Sequence, residues 1–449
     1  MTKDLTVGSP MKNIVKFCLP LMLGNLFQQF YNMADMVIVG RFVGKTALSA
    51  VGAVGSLNFL VIGTIIGLCS GLAIPVAQAF GARDEIRLKK YVANIIYTAS
   101  ALAVVLTAVA VALTKPLLRA LNTPDDIFAQ SYEYIVVIFA GISATILYNI
   151  LACIVRALGD SKTPLYFLIF SSFLNIGLDL LLIIVFKMGV RGAAVATVAA
   201  QAVSGILCLI LVKKKFSVLA PTRETRGLDF KSIGFLLKNG LPMALQFSIT
   251  GLGSVLLSSC VNPLGSDVIA GMTIGNKTQL IIILPSETIG ITMATYCGQN
   301  LGARKPERIK KGIWQAILLS MIYAVAAVFI TRYFGKYISM LFVSGEETKV
   351  LGLAQQFLDV CSWFYPILSL IFVLRNSLQG LGYSITAMSA GIFELAARSI
   401  GGFGFVTRFG YDAACFVNPA AWTAADILLI PATVIAMRRL MKKLKTEEK

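Results

Sequence analysis

The chain has 449 residues; 57% are hydrophobic, 14% are charged, and the formal net charge is +18 with no histidine. Soluble domains carry about 25% charged residues, so this composition excludes an ordinary soluble domain. The missing histidine excludes a His proton relay, a His metal site and a Ser-His triad. The apolar excess falls in runs of about 20 residues or more, each able to cross a bilayer as a helix. A transmembrane barrel would instead alternate over short segments.

The apolar runs predict twelve helices, at 14–40, 50–80, 90–113, 127–155, 164–186, 189–212, 233–260, 268–298, 311–334, 348–376, 385–407 and 415–438. The first has no small-residue cleavage site after a short apolar core, so it reads as a retained span. Cys18, Cys69, Cys153, Cys208, Cys260, Cys297, Cys361 and Cys415 are scattered singly and read as small hydrophobes. The longest polar connection, Lys213 to Lys238, follows the sixth helix and marks a boundary. The expected architecture is a six-helix N-terminal lobe at 1–225 and a six-helix C-terminal lobe at 226–449.

Basic residues concentrate on the side of the N-terminus: Arg83, Arg87, Lys89 and Lys90, the central connection, Arg304 to Lys311 and the C-terminal tail. That bias predicts that both termini are cytoplasmic. It also accounts for the net charge through topology and anionic lipid rather than nucleic acid.

An internal repeat is written into the chain. Gln78-Ala-Phe-Gly-Ala-Arg83 closes the second helix, and Gln299-Asn-Leu-Gly-Ala-Arg304 closes the eighth. Leu158-Gly-Asp-Ser-Lys-Thr163 follows the fourth helix, and Leu381-Gly-Tyr-Ser-Ile-Thr386 follows the tenth; Pro20 matches Pro242. The offsets are 221, 223 and 222 residues. A unit of six helices enters and leaves on one side. The repeat therefore predicts two lobes related by a pseudo-two-fold axis along the membrane normal, a transporter arrangement.

Charges inside the apolar runs are the candidate site. Asp35 sits in the first helix, and a carboxylate at that depth needs a partner. Asn175 and Asp179 share a face of the fifth helix, Asn32 and Asp35 a face of the first, Thr197 and Gln201 a face of the sixth. The repeat carries Asp35 onto Leu256 or Leu257, and Asn175 and Asp179 onto Arg398 and Gly402, so the acidic set belongs to one half. Converging faces would make an oxygen-lined pocket that takes a proton or a hard cation. Taken alone, Asp35 and Asp179 could also be structural hydrogen-bond hubs. Asn175 and Thr197 could be interhelical glue, and Tyr31 and Tyr134 packing residues. Glu394 and Arg398, four apart, read as a structural ion pair. Glu287 and Lys277 have no partner in sequence.

The segment from Pro20 through Gln28-Gln-Phe-Tyr-Asn-Met-Ala-Asp-Met-Val-Ile-Val-Gly40, the paired Gln-x-x-Gly-Ala-Arg, Arg156-Ala-Leu-Gly-Asp160 and Asn175-x-x-x-Asp179 together resemble the multidrug and toxic compound extrusion (MATE) family. The resemblance spans essentially the whole chain. It implies a non-enzymatic antiporter in the plasma (inner) membrane that exports small organic, often cationic, compounds in exchange for H⁺ or Na⁺. No cofactor is expected beyond the coupling ion, and the partners are its cargo and the bilayer, with the chain acting as a monomer. It implies coupling and substrate binding at Asp35, Asn175, Asp179 and Thr197, which would also hold Na⁺. Tyr31 and Tyr134 extend that network, and Pro20 is a bend. Gln28, Asn32, Glu287, Glu394 and Arg398, polar residues inside the apolar runs, are further candidates on their own. One branch carries a seventh-helix glutamate; here Gln246 to Gly253 holds Thr250 and no acid, which favours coupling through the N-terminal lobe. The alternative cargo is lipid-linked or a metabolite.

Overall fold

The computed structural model describes residues 3–121, 123–343 and 345–447. Met1 and Lys449, the outer limits of the two expected halves, lie outside them. Helix dominates, and no strand occurs among the described residues. The first half of the chain contains α1 (Pro10–Phe42), α2 (Lys45–Ala53), α3 (Gly55–Gly81), α4 (Glu85–Ala120), α5 (Asp125–Ala140), α6 (Ile142–Ala157), α7 (Lys162–Leu180) and α8 (Gly189–Lys215). The second contains α9 (Phe230–Val261), α10 (Ser266–Gly302), α11 (Pro306–Ser339), α12 (Thr348–Ser362), α13 (Tyr365–Gly380), α14 (Ser384–Ser399) and α15 (Thr407–Glu447). π-helical segments, Leu181–Val185 and Ile400–Val406, follow α7 and α14.

With the break at Gly410 and α1 included, the described helices form twelve spans. Eight stretches are individually long and apolar enough, and two bent pairs, α5 with α6 and α12 with α13, bring the number to 10. One of the eight, Ser384–Lys443, has 60 residues. At 1.5 Å per residue it would run about 90 Å, far beyond a core about 30 Å thick, and it breaks at Gly410 (φ +64°) into two spans. The twelfth is α1, whose 33 residues include Lys12, Lys16, Gln28, Gln29, Asn32 and Asp35 and so fall short on apolarity alone.

The ranges 127–155 and 348–376 each read as one helix in the sequence, but each is bent, by 47° and 60°. The first bend sits at Gly141, where a Cβ would collide with Val198 of α8. Only glycine lets the two backbones come that close.

The repeat extends to backbone geometry. Arg83 and Arg304 both take left-handed φ, 56° and 54°; Gly159 and Gly382 take 83° and 85°. Asp84 N donates to Ala79 O, and Lys305 N to Asn300 O, the six-to-one bond that closes a helix over a left-handed residue. Gln-x-x-Gly-Ala-Arg is thus a helix stop, and Asp84 then caps α4 by accepting from Arg87 N at 2.9 Å.

The chain groups into two compact units. The first comprises Lys3, Asp4 and Leu19–Ala244; the second comprises Leu5–Cys18 and the chain from Leu245 onward. This division lies beyond the expected one at 225/226 because the first half of α9 packs within the first unit. Tyr91 stacks on Phe235 at 5.9 Å, Lys90 pairs with Asp229 at 3.0 Å, and a Cβ on Gly71 would sit 2.6 Å from Asn239 O. Val76, Ile95, Ile135, Phe139, Ile142 and Ala193 fill the first core. Tyr296, Phe357 and Tyr365 are among the large side chains that fill the second. All eight cysteines are buried and free.

Candidate functional site

In the first unit, four helices bring polar side chains together inside otherwise apolar spans. From α1 come Tyr31 and Asp35, from α5 Tyr134, from α7 Asn175 and Asp179, and from α8 Thr197. Asp35, Asn175 and Asp179 are 8%, 2% and 0% exposed. One turn separates Asn175 from Asp179, so a single helix face presents both. The π-helical segment begins two residues beyond Asp179, a distortion that recurs at functional sites.

Asn175 Nδ2 donates to Thr197 Oγ1 at 3.4 Å, which ties α7 to α8. The Asp35 and Asp179 carboxyls come within hydrogen-bonding reach of one another, and Tyr31 and Tyr134 lie within electrostatic range of both. Four buried oxygens have no hydrogen-bond donor: Asp35 Oδ1, Asn175 Oδ1 and both Asp179 Oδ atoms. Buried polar atoms are almost always satisfied, and two facing ionised carboxylates repel in a dry site. The cluster therefore has the shape of a receptor for one positive charge, and its oxygen donors suit a proton or a hard cation.

Other expected residues lie elsewhere on α1 and α8. Gln28 is half-buried and Asn32 is exposed. Gln201 accepts from Thr145 Oγ1 at 2.6 Å, bridging α8 to α6. Pro20 interrupts the α1 hydrogen-bond ladder two residues past Cys18, where the grouping of the chain changes units.

The second unit holds a different set. Thr250 Oγ1 bonds back to Gln246 O, and Gln379 Nε2 donates to Gln246 Oε1 at 2.7 Å. Lys277 Nζ sits 5.7 Å from the Phe342 ring centroid, and Glu287 is half-buried. Glu394 pairs with Arg398 at 3.6 Å and also with Arg375 of α13. Sequence reasoning missed Arg375, which sits at the edge of the expected helix 348–376 but is buried within α13. It also missed Asp426, 5% exposed in α15. An acid in the middle of the last apolar run was the available signal.

Comparison with known proteins agrees with this architecture. The MatE family profile matches residues 20–181 and 242–401. The chain is 30% identical over 379 residues to the probable multidrug resistance protein YpnP of Bacillus subtilis, covering 84% of each chain. It is 27% identical to the probable multidrug resistance protein NorM of Thermotoga maritima, covering 84% of this chain and 81% of that one. A solved outward-facing multidrug resistance MATE family transporter superposes with a TM-score of 0.90 at 22% identity, covering 98% of this chain and 99% of that one.

Proposed function

The chain belongs to the MatE family, and from that premise we propose that it is an efflux transporter for small organic cations, driven by H⁺ or Na⁺ binding at Asp35 and Asp179. One observation carries the reading: two buried carboxyls face each other with unpartnered oxygens, and Asn175, one turn from Asp179, bonds Thr197. The names of YpnP and NorM as multidrug resistance proteins support the cargo class. Both termini are cytoplasmic, on the distribution of lysine and arginine. Both repeats lie in one chain, so a monomer suffices.

With both acids ionised, the cluster favours a cationic cargo, and low-dielectric surroundings strengthen the attraction. A proton shared by the two carboxyls, or a Na⁺ held at them, halves the negative charge of the site and so weakens its hold on that cargo. Linkage makes the effect mutual: ion and cargo weaken each other's binding by the same factor.

The test is export of ethidium from proteoliposomes under an imposed proton gradient or an imposed Na⁺ gradient, with Asp35→Asn as control. Transport driven by one gradient and lost in the variant supports the reading and names the ion. Undiminished transport by Asp35→Asn would sink it. No gradient-driven movement of any organic cation would turn attention to a lipid-linked or metabolite cargo.

A further inference from the structure

We propose that Asp426 is a second proton-binding site, built into α13, α14 and α15 of the second unit and independent of the Asp35–Asp179 pair. Four ionisable side chains are buried together there: Arg375 on α13, Glu394 and Arg398 on α14, and Asp426 on α15, at 8%, 4%, 7% and 5% exposure. Glu394 takes one arginine on each oxygen: Arg375 on Oε1 and Arg398 on Oε2. Arg398 Nε also donates to Asn418 Oδ1 at 3.3 Å. Asp426 receives none of these donors. Both its oxygens are buried without a hydrogen-bond partner, although Arg375 and Glu394 are close enough to act on it electrostatically.

A donor that could satisfy Asp426 is present but unspent: Arg375 Nε is also buried without a partner. Arg398 Nη1, likewise unpartnered, faces Gly253 of α9 instead. An ionised carboxylate with no donor is costly in such surroundings. Two arrangements relieve it: Asp426 takes a proton, or Arg375 shifts part of its fork from Glu394 to Asp426. Arginine's five donors allow either carboxylate to be served. Protonation of Asp426 thus sets which acid holds Arg375, and with it the tie between α13 and α14.

Among the described residues, Arg375 and Glu394 are the charges that act on Asp426; α10, packed on α13, carries Lys277 and the half-buried Glu287, and on α15 Arg438 follows 12 residues later. Arg375 is the only charged residue of α13, Glu394 and Arg398 are the only ones of α14, and the π-helical segment Ile400–Val406 has none. On α15 the nearest other acid is Asp412, which accepts from Gln356 of α12. It lies 14 residues earlier, about 21 Å along the helix. Arg332 and Lys336 of α11 and Asp359 of α12 line a cavity of about 730 Å³ that none of the four residues enters. The site is not an acidic pocket copied from the first half, because Arg398 occupies the repeat position of Asn175.

The test is infrared difference spectroscopy of the purified full-length protein in nanodiscs as pH is stepped. A protonated buried carboxyl gives its own C=O stretching band. The expected result is one titrating carboxyl band that disappears in Asp426→Asn and persists in an Asp35→Asn/Asp179→Asn double variant. That double variant separates this proposal from the transport reading, which can fail without affecting it. A full set of wild-type bands in Asp426→Asn would overturn the proposal, because the arginine cluster would then be a fixed ionic network. Arg375→Lys decides the matter if Asp426→Asn does not fold: the pH midpoint of the same band moves. An unchanged set of midpoints in that variant would equally overturn it.

Discussion

The two units bury their charges by opposite means. In the first, Asp35 and Asp179 face each other and, among the described residues, no basic side chain pairs with them; in the second, Glu394 lies between Arg375 and Arg398. Both sets rest on a helix that runs into a π-helical segment, α7 and α14. At one repeat position an amide in the first half, Asn175, is replaced by a guanidinium in the second, Arg398. A cluster that lacks its own counter-ion must take one from solution, so its charge depends on what is bound. A cluster that carries its counter-ions is held together by them. The repeat supplied the same frame twice, and a few side chains made one copy a cluster of unpartnered oxygens and the other an arginine-bridged acid.

Substitutions break this comparison in a graded order. The largest effect belongs to the first unit: Asp35→Asn or Asp179→Asn lowers gradient-driven export by at least about tenfold while leaving the protein folded, as vesicle efflux and a melting curve will register. In the second unit the sign of the pattern reverses. Glu394→Gln leaves two guanidinium groups buried without their shared acid, and stability falls by about 3–5 kcal/mol, read as a lower melting temperature. Gly141→Ala is next. Its added methyl meets Val198 at the α5–α6 bend, and relief of that contact costs about 1–3 kcal/mol; a compensating Val198→Ala recovers most of it in the same melting assay.

The smallest effect is outside the membrane. Asp229 precedes α9, accepts from Ser232 N at 3.1 Å and from Ser232 Oγ at 2.6 Å, and pairs with Lys90. The Ser232 hydrogen bonds, then Lys90, hold its carboxyl down at about 2. A carboxylate depressed on folding stabilises above its ordinary value of 3.8 and loses that contribution as pH falls through about 2. The melting-temperature gap between wild type and Asp229→Ala is therefore complete at pH 6 and closes as the pH is lowered across that window.

Much of this was legible because polar residues in apolar runs are rare enough to stand out. Helix periodicity put Asn175 and Asp179 on one face and singled out Asp35 and Thr197 on theirs, while the grouping of the four came from the family resemblance; the repeat was visible in helix-stopping motifs whose left-handed arginines recur at the same offset. The bends at Gly141 and around Trp363 and Phe364 were not legible, because hydrophobicity continues unbroken across them. Arg375 escaped notice through an end effect: one residue from the expected helix end at 376 it reads as a flanking topology charge, but α13 runs on to Gly380 and buries it. The division of units near Cys18 and Ala244 depends on which helices pack together, and no local pattern encodes that.

The most direct test of the central claim is ion release on cargo binding. Tetraphenylphosphonium is added to purified wild-type protein in weakly buffered nanodiscs, with a pH indicator in one set and a Na⁺-selective electrode in the other. The account predicts release of H⁺ or Na⁺ in proportion to bound cation, and none from the Asp35→Asn/Asp179→Asn variant. Equal release from wild type and variant would contradict it, because cargo and ion would then compete somewhere other than the Asp35–Asp179 pair.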